Sequence, residues 1–403
     1  MKKVVCIGNS LAGIKAIEQI RQHHPEAEVT LFTVEGEPPY YRHQLGDLLA
    51  RVISPEQIYY RPLPYYQDQR IHLSEQKISR INLRKNKITT EDKQIFEFDC
   101  LLLAGMDAPH FAEIKGVHKS GVYYSRRLAD VRQLINNLLI IETVVIDSDD
   151  LSGLRLAVAL LKRGKEVILV TCAQHVFPQV LDEESSQVVR FLLQEAGLRI
   201  ITENPVSEIL GESDVKAIRL KSGKVFAAQA VILSVSQVDL RLFKDTELHF
   251  DQQIPVNANL QTNIENIFAL DKAAQGTGDG WEEDCDTYPI LLEQQGIKVA
   301  SHIQGEEFLI QPPLPQARIM LNERALYIMG KTQPQRTVQV LSHWDQDNKD
   351  YKKIFIVDHR AVGAVLFCDA AQKERIEKLI VDRTDISGQE ESLFGSPIFS
   401  LPK

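Results

Sequence analysis

The chain opens MKKVVCIGNSLAG, and no other stretch restricts its fold as much. Val4, Val5, Cys6 and Ile7 form an apolar run too short for a helix and stopped by Gly8, the pattern of a strand buried in a parallel sheet. Gly8-Asn9-Ser10-Leu11-Ala12-Gly13 then turns into Ile14 to Arg21, whose apolar residues recur at helical spacing. A strand that feeds a helix through a glycine turn leaves unpaired N–H groups at the helix N-terminus. With the helix dipole, those groups suit a pyrophosphate. Gly8 makes the turn, Gly13 lets the helix approach the strand, and Ser10 stands at the middle position of a GxGxxG pattern. A plain strand–turn–helix without a ligand is the alternative. The agreement of strand, turn, helix and position favours a dinucleotide.

At 403 residues the chain has room for two or three domains. Its 46 Lys+Arg against 55 Asp+Glu give a net charge of −9, which argues against nucleic acid or an anionic membrane surface as main partner. No apolar run reaches the roughly 18 residues of a membrane span, and the N-terminal run is too short for a signal peptide. Cys6, Cys100, Cys172, Cys285 and Cys368 lie far apart with no CxxC. They point to a reduced, cytoplasmic protein without a metal or iron–sulfur site of its own, each thiol serving as a small buried apolar group.

Val29 to Val34 reads as a second strand, and Glu35 follows 22 residues after Gly13, near the spacing at which an acid meets a nucleotide ribose. A solvated turn residue beside Gly36 is the other reading of Glu35. In PPYYRHQL, Arg42 offers a planar fork suited to a pyrophosphate. Phe96 to Leu103 is a further strand, ending at Ala104-Gly105. Thr143 to Ile146 opens a second strand–turn–helix unit, with a helix over Leu154 to Leu161 and a strand over Val167 to Val170. Ala230 to Val235 and Ile267 to Leu270 are buried strands, the latter ending at Asp271; residues 276–280 read as a flexible loop, and Pro289 to Ile303 as a helix. After QPPLP the pattern changes to alternating strands and one helix, Gln372 to Val381. The expected division is 1–115 and 241–310 as one nucleotide-binding unit, 116–240 inserted within it, and 311–403 as a small C-terminal domain.

The order of these features resembles the FAD-dependent pyridine nucleotide–disulfide oxidoreductases, in the branch of rubredoxin reductases and the flavoprotein part of assimilatory nitrite reductase. GNSLAG is similar to that branch's GNGxAG, PPYYR to its PYxR, LAGMDAP to its ATGAxP and NIFALD to IYAAGD. EQQGIKVA resembles the helix over the isoalloxazine, and AVGAVLFCDA the interface-domain motif. The resemblance implies a glutathione-reductase-like α/β fold of two nested Rossmann-like domains plus a C-terminal α+β interface domain, with FAD as cofactor. It implies pyrophosphate contacts from Gly8, Ser10, Leu11, Ala12 and Gly13 and a ribose contact from Glu35. It also puts Arg42 near the pyrophosphate or flavin, Ile78 at the adenine, Ala104 and Gly105 beside the turn, and Asp271 at the ribityl hydroxyls. The family's ribose acid falls at Val34, and its glycine before the ribityl aspartate at Leu270.

The family's second, NAD(P)H-binding fingerprint falls on Ser148-Asp149-Asp150-Leu151-Ser152-Gly153, where only the last glycine remains. Asp150 stands where backbone must approach a pyrophosphate, with Asp147 and Asp149 nearby. Two unit charges about 4 Å apart repel by roughly 4 kcal/mol at an effective dielectric near 20. The family's second ribose acid is Thr171 here, its glutamate near the nicotinamide is Arg155, and the glycine after the later strand is Ser236. This half is expected to be a scaffold without NAD(P)H; a metal or a cationic partner at the acids is the alternative. The family's redox cysteines are absent from PPYYRHQLGDLL, and His43 is given no catalytic role. The expected function is an FAD oxidoreductase or electron-transfer subunit of a larger complex, passing electrons to or from an iron–sulfur protein or rubredoxin. Alternatives are an NAD(P)H-dependent reductase of a rubredoxin-like or nitrite-reductase-type acceptor, and a structural flavoprotein.

Overall fold

A computed structural model describes residues 1–33, 35–109, 114–234, 236–276, 284–333, 338–388 and 393, with Ser236 described in its backbone alone. Along the chain the elements that position the site are β1 (Lys3–Ile7), α1 (Leu11–His23), β2 (Glu28–Phe32), β3 (Ile71–Ser74), β4 (Cys100–Ala104) and β5 (Val122–Tyr124). They continue with β6 (Thr143–Asp147), α2 (Leu151–Lys162), β7 (Glu166–Val170), β8 (Arg199–Ile201), β9 (Ala230–Leu233), β10 (Ile267–Leu270) and α3 (Tyr288–Gln304). Two parallel sheets result, ordered β10-β4-β1-β2-β3 and β8-β7-β6-β9-β5. In each, the first strand–turn–helix strand sits between the strand that follows it and one that arrives much later. That is the strand order at which α/β sheets open a crevice at their C-terminal ends.

The sequence pattern accounts for these elements. Val4, Val5, Cys6 and Ile7 are each at most 2% exposed, because helices and loops cover both faces of β1. Burying side chains of this size stabilises the sheet by about 1.5–3 kcal/mol each. The run expected as one strand over Phe96 to Leu103 is broken at Phe98-Asp99 instead. The Asp99 carboxylate accepts the Lys2 and Lys3 N–H groups at 2.6 and 3.0 Å, and this splits Ile95–Glu97 from β4. Gly164, at φ +71°, follows the end of α2.

Each parallel sheet carries a three-stranded antiparallel companion, Ile78–Asn82 with Lys87–Thr90 and Ile95–Glu97, and Val206–Leu210 with Ala217–Leu220 and Val225–Ala227. A short antiparallel ribbon, Asp107–Pro109 against Ser236–Val238, joins the two halves. The C-terminal part is a five-stranded antiparallel sheet from Gln316–Leu321 to Arg360–Cys368, followed by the helix Ala370–Val381. Its strands share one apolar cluster with α2 and with Tyr40, Leu45 and Leu48 of the first half. Within 276–280, expected to be a flexible loop, residues 277–280 lie outside the described residues, as does Val34. No described helix is long and apolar enough to cross a membrane.

Candidate dinucleotide site

The first turn is built on close backbone approach. Gly8 has φ +104°, its N–H donates to the Phe32 carbonyl at 3.0 Å, and a Cβ on it would lie 2.1 Å from the Ala104 carbonyl oxygen. A Cβ added to Gly13 would lie 2.8 Å from Cys6 Sγ and 2.9 Å from the Ala104 Cβ, so glycine is required where α1 crosses β1 and β4. Gly105, at φ +86°, brings the turn after β4 beside Ser10 and the Asp271 carboxylate. Ser10 is the N-cap of α1, and its hydroxyl accepts the Ala12 N–H at 3.2 Å. That bond corrects one expectation: the Ala12 N–H is engaged within the turn. Leu11, 4% exposed, lines the adjoining cleft.

Glu35, expected at a ribose, and Arg42, expected near the pyrophosphate or flavin, are bonded to each other. Glu35 Oε1 meets a guanidinium nitrogen of Arg42 at 2.7 Å, while Oε2 accepts the Tyr40 hydroxyl at 2.6 Å. Arg42 also donates to Asn9 Oδ1 at 2.9 Å and to the Arg126 carbonyl at 2.7 Å. Burial works against the Arg42 charge, and Glu35, Tyr40 and Asp107 together outweigh it. Next to it, burial first and then the Arg155 charge push His43 down to about 4, so this imidazole stays neutral.

Asp271 adopts φ +57°, and Leu270 before it is extended (φ −134°, ψ 159°) with its side chain in the core. Glycine is therefore not needed at 270. The Asp271 carboxylate accepts the Tyr288 hydroxyl at 2.6 Å, and its N–H donates to the buried Gln295 side chain at 2.7 Å. Gly296 in α3 lies against α1, where a Cβ would stand 2.6 Å from the Ala12 carbonyl oxygen. Tyr288 carries no motif signal and lies just outside the helix expected over Pro289 to Ile303, whereas Gln295 falls within EQQGIKVA.

Asn9, Ser10, Arg42, Gly105, Asp271 and Tyr288 line one cleft of about 40 Å³. That is room for a few waters, against about 300–1,000 Å³ for ordinary small-molecule sites. Ile78 lies apart from it, in a groove of about 1090 Å³ lined also by Thr33, Met106 and Arg80. Gly105 lines the cleft and the next residue, Met106, lines the groove. The residues fit a dinucleotide at the turn and in the groove. Beside the turn, Asn9 Nδ2 is a buried donor without an acceptor.

At the second turn, each of the three acids expected near the pyrophosphate position is bonded within the protein. Asp147 accepts the Val206 N–H at 2.9 Å, and burial raises its carboxyl to about 7. Asp149 accepts the hydroxyl of Thr171 and, at 2.9 Å, the thiol of Cys172. Cys172 is exposed, contrary to the expectation for the five thiols; the other four are buried. Asp150 caps α2, accepting the Gly153 N–H at 2.9 Å and the hydroxyls of Ser148, Ser152 and Ser234 at 3.0, 2.8 and 2.6 Å. The residue of the later strand end that meets the turn is thus Ser234, two positions before Ser236. A Cβ on Gly153 would lie 2.2 Å from Ser148 Oγ, which explains why this glycine remains. Arg155 holds the C-terminal sheet, bonding Asp286 at 2.8 Å and the Arg318 carbonyl at 3.1 Å. Among the described residues, no group of three His, Cys, Asp or Glu is arranged to hold a metal ion.

Arg126 joins the two turns. Its carbonyl accepts from Tyr40 and Arg42, and its guanidinium donates to Asp284 at 2.8 Å and lies 3.6 Å from Asp150.

Comparisons with known proteins agree with this architecture. The chain is 26% identical over 394 residues to the assimilatory nitrate reductase electron transfer subunit of Bacillus subtilis, covering 96% of this chain and 50% of that protein. It is 25% identical over 390 residues to the nitrite reductase [NAD(P)H] of the same organism, covering 96% and 48%. The chain therefore spans about half the length of these curated relatives. Among solved structures, the covalent putidaredoxin reductase–putidaredoxin complex superposes with TM-score 0.82 at 21% identity, covering 98% of this chain and 96% of that one. The ferredoxin reductase of the CYP199A2 system from Rhodopseudomonas palustris does so with TM-score 0.80 at 21% identity, covering 95% and 96%. Residues 321–384 match the rubredoxin NAD+ reductase C-terminal domain. Residues 2–283 match the pyridine nucleotide-disulphide oxidoreductase model, and the chain belongs to that family.

Proposed function

We propose that the chain is an FAD-dependent electron-transfer oxidoreductase that exchanges electrons with a protein partner, an iron–sulfur protein or rubredoxin. The observation that carries this reading is the contrast between the two turns: at Gly8–Gly13 the Ser10 hydroxyl takes up one N–H, whereas at Ser148–Gly153 the Asp150 carboxylate gathers one N–H and three hydroxyls. The N–H groups of Leu11 and Gly13, with Asn9, would hold the pyrophosphate. Ile78 and its groove would take the adenine, and Gly105 and Asp271 the ribityl chain. Bound flavin supplies transfer of one or two electrons at a time. The protein's part is to hold Arg42 charged beside that path and to keep His43 neutral. Relatives named as an electron transfer subunit and a reductase captured with putidaredoxin support a protein partner. Five free cysteines agree with the cytoplasm as its setting.

The test is stopped-flow spectroscopy on the FAD-reconstituted protein, following the flavin's visible band. Reduced rubredoxin or a reduced [2Fe–2S] ferredoxin is expected to bleach it, and NADH or NADPH alone is not. Rapid bleaching by either nucleotide would favour the NAD(P)H-dependent reductase instead. Failure to take up FAD would overturn the flavin reading altogether.

A further inference from the structure

We propose that Asp150 is a built-in anion: its carboxylate occupies the pyrophosphate position of the second dinucleotide turn and so determines that NADH and NADPH are refused there. In a parallel sheet of this strand order, the crevice at the C-terminal end of β6 and the N-terminus of α2 is where a dinucleotide's phosphates are received. Asp150 stands at that N-terminus. One backbone N–H, from Gly153, and three hydroxyls, from Ser148, Ser152 and Ser234, converge on its two oxygens at 2.6–3.0 Å. The Arg126 guanidinium, on a residue 8% exposed, lies 3.6 Å away.

A helix N-terminus, three hydroxyls and one buried guanidinium are the donor set of a phosphate site. Here every one of those groups already serves a carboxylate of the same chain. The Asp150 N–H is also engaged, donating to Ser148 Oγ at 3.1 Å. Burial alone would raise the Asp150 carboxyl; Arg126 and the converging donors hold it below the usual carboxylate range, so it stays ionised. An incoming phosphate would meet a negative charge with its donors occupied. The expectation that three carboxylates together repel a dinucleotide phosphate thereby narrows to a single residue that fills the site.

Isothermal titration of the full chain, kept in saturating FAD so that the first turn is not available, with inorganic pyrophosphate, NADH and NADPH, each titrated separately, tests this without turnover. Failure of the flavin proposal would therefore leave the result readable. The wild type is expected to bind none of the three at ligand concentrations up to about 1 mM. Asp150→Gly vacates the position, and Asp150→Ser vacates it while keeping an N-cap hydroxyl should the glycine variant not fold. Either folded variant is expected to bind pyrophosphate at least tenfold more tightly than the wild type. A folded variant with no gain overturns the proposal. So does a wild type that binds NADH or NADPH with Kd below about 100 μM, whatever the variants do.

Discussion

In the turn after β1, the residue at the third position is Ser10, whose hydroxyl reaches only the Ala12 N–H of its own helix. In the turn after β6, the same position holds Asp150, whose carboxylate gathers a backbone N–H and three hydroxyls and lies near Arg126. Both turns keep their last glycine, and in both a Cβ there would collide with the turn or strand beneath, near Cys6 in one and Ser148 in the other. The scaffold is therefore shared, and one side chain sets whether the mouth of the crevice is open. A short side chain caps the helix and leaves space; one carbon and one charge more fill it.

Gly8→Asp should give the largest effect. Its Cβ would meet the Ala104 carbonyl at 2.1 Å in a left-handed backbone, so flavin uptake should be lost and stability should fall by about 3 kcal/mol or more in denaturant titration. Arg42→Ala leaves Glu35, whose side chain is 5% exposed, without its cation. A loss of about 3 kcal/mol is expected, together with weaker flavin retention. Gly153→Val should cost about 2 kcal/mol through the clash with Ser148 and leave flavin uptake intact; loss of flavin there would break the distinction between the turns.

Asp147 supplies the pH dependence. Burial first, and Asp149 second, raise its carboxyl to about 7 against the Val206 N–H. A folded-state value above the unfolded one means that the folded protein binds the extra proton between about pH 4 and about pH 7. Stability is lost as pH rises through that window, and the full cost remains above it. Asp147→Asn keeps an acceptor for Val206, so it should raise stability by on the order of 2 kcal/mol near pH 8 and change little near pH 4. The smallest change is Ser10→Gly, which restores the glycine pattern and frees the Ala12 N–H. A few tenths of a kcal/mol of stability should go, and FAD should bind more tightly by equilibrium dialysis.

Much of the scaffold was legible because its signals are local. Apolar runs of four or five residues marked β1, β6 and β7, helical spacing marked α1 and α2, and Gly8 and Gly13 announced a close approach that the structure contains. The occupancy of the clefts was not legible, because it depends on partners far apart in sequence. Tyr40 bonds the carbonyl of Arg126, 86 residues away, and Arg126 reaches Asp284, 158 residues away. Glu35 was read from its spacing to Gly13, and spacing says nothing of the cation seven residues on that it pairs with. Ser234 had a usable signal, since it directly follows the end of β9 as Gly105 follows β4; the pattern of the later glycine pointed two residues too far.

A tethered carboxylate has a consequence for how the second half behaves in a cell. A dinucleotide that binds only the folded state stabilises it by RT ln(1 + [L]/Kd), so a half with an open site gains or loses stability as the nucleotide pool rises and falls. Asp150 is bonded to the chain it stabilises, and its local concentration cannot be diluted. The second half should therefore melt at the same temperature whether the pool is oxidised, reduced or depleted, a fold uncoupled from the metabolite its relatives are named for.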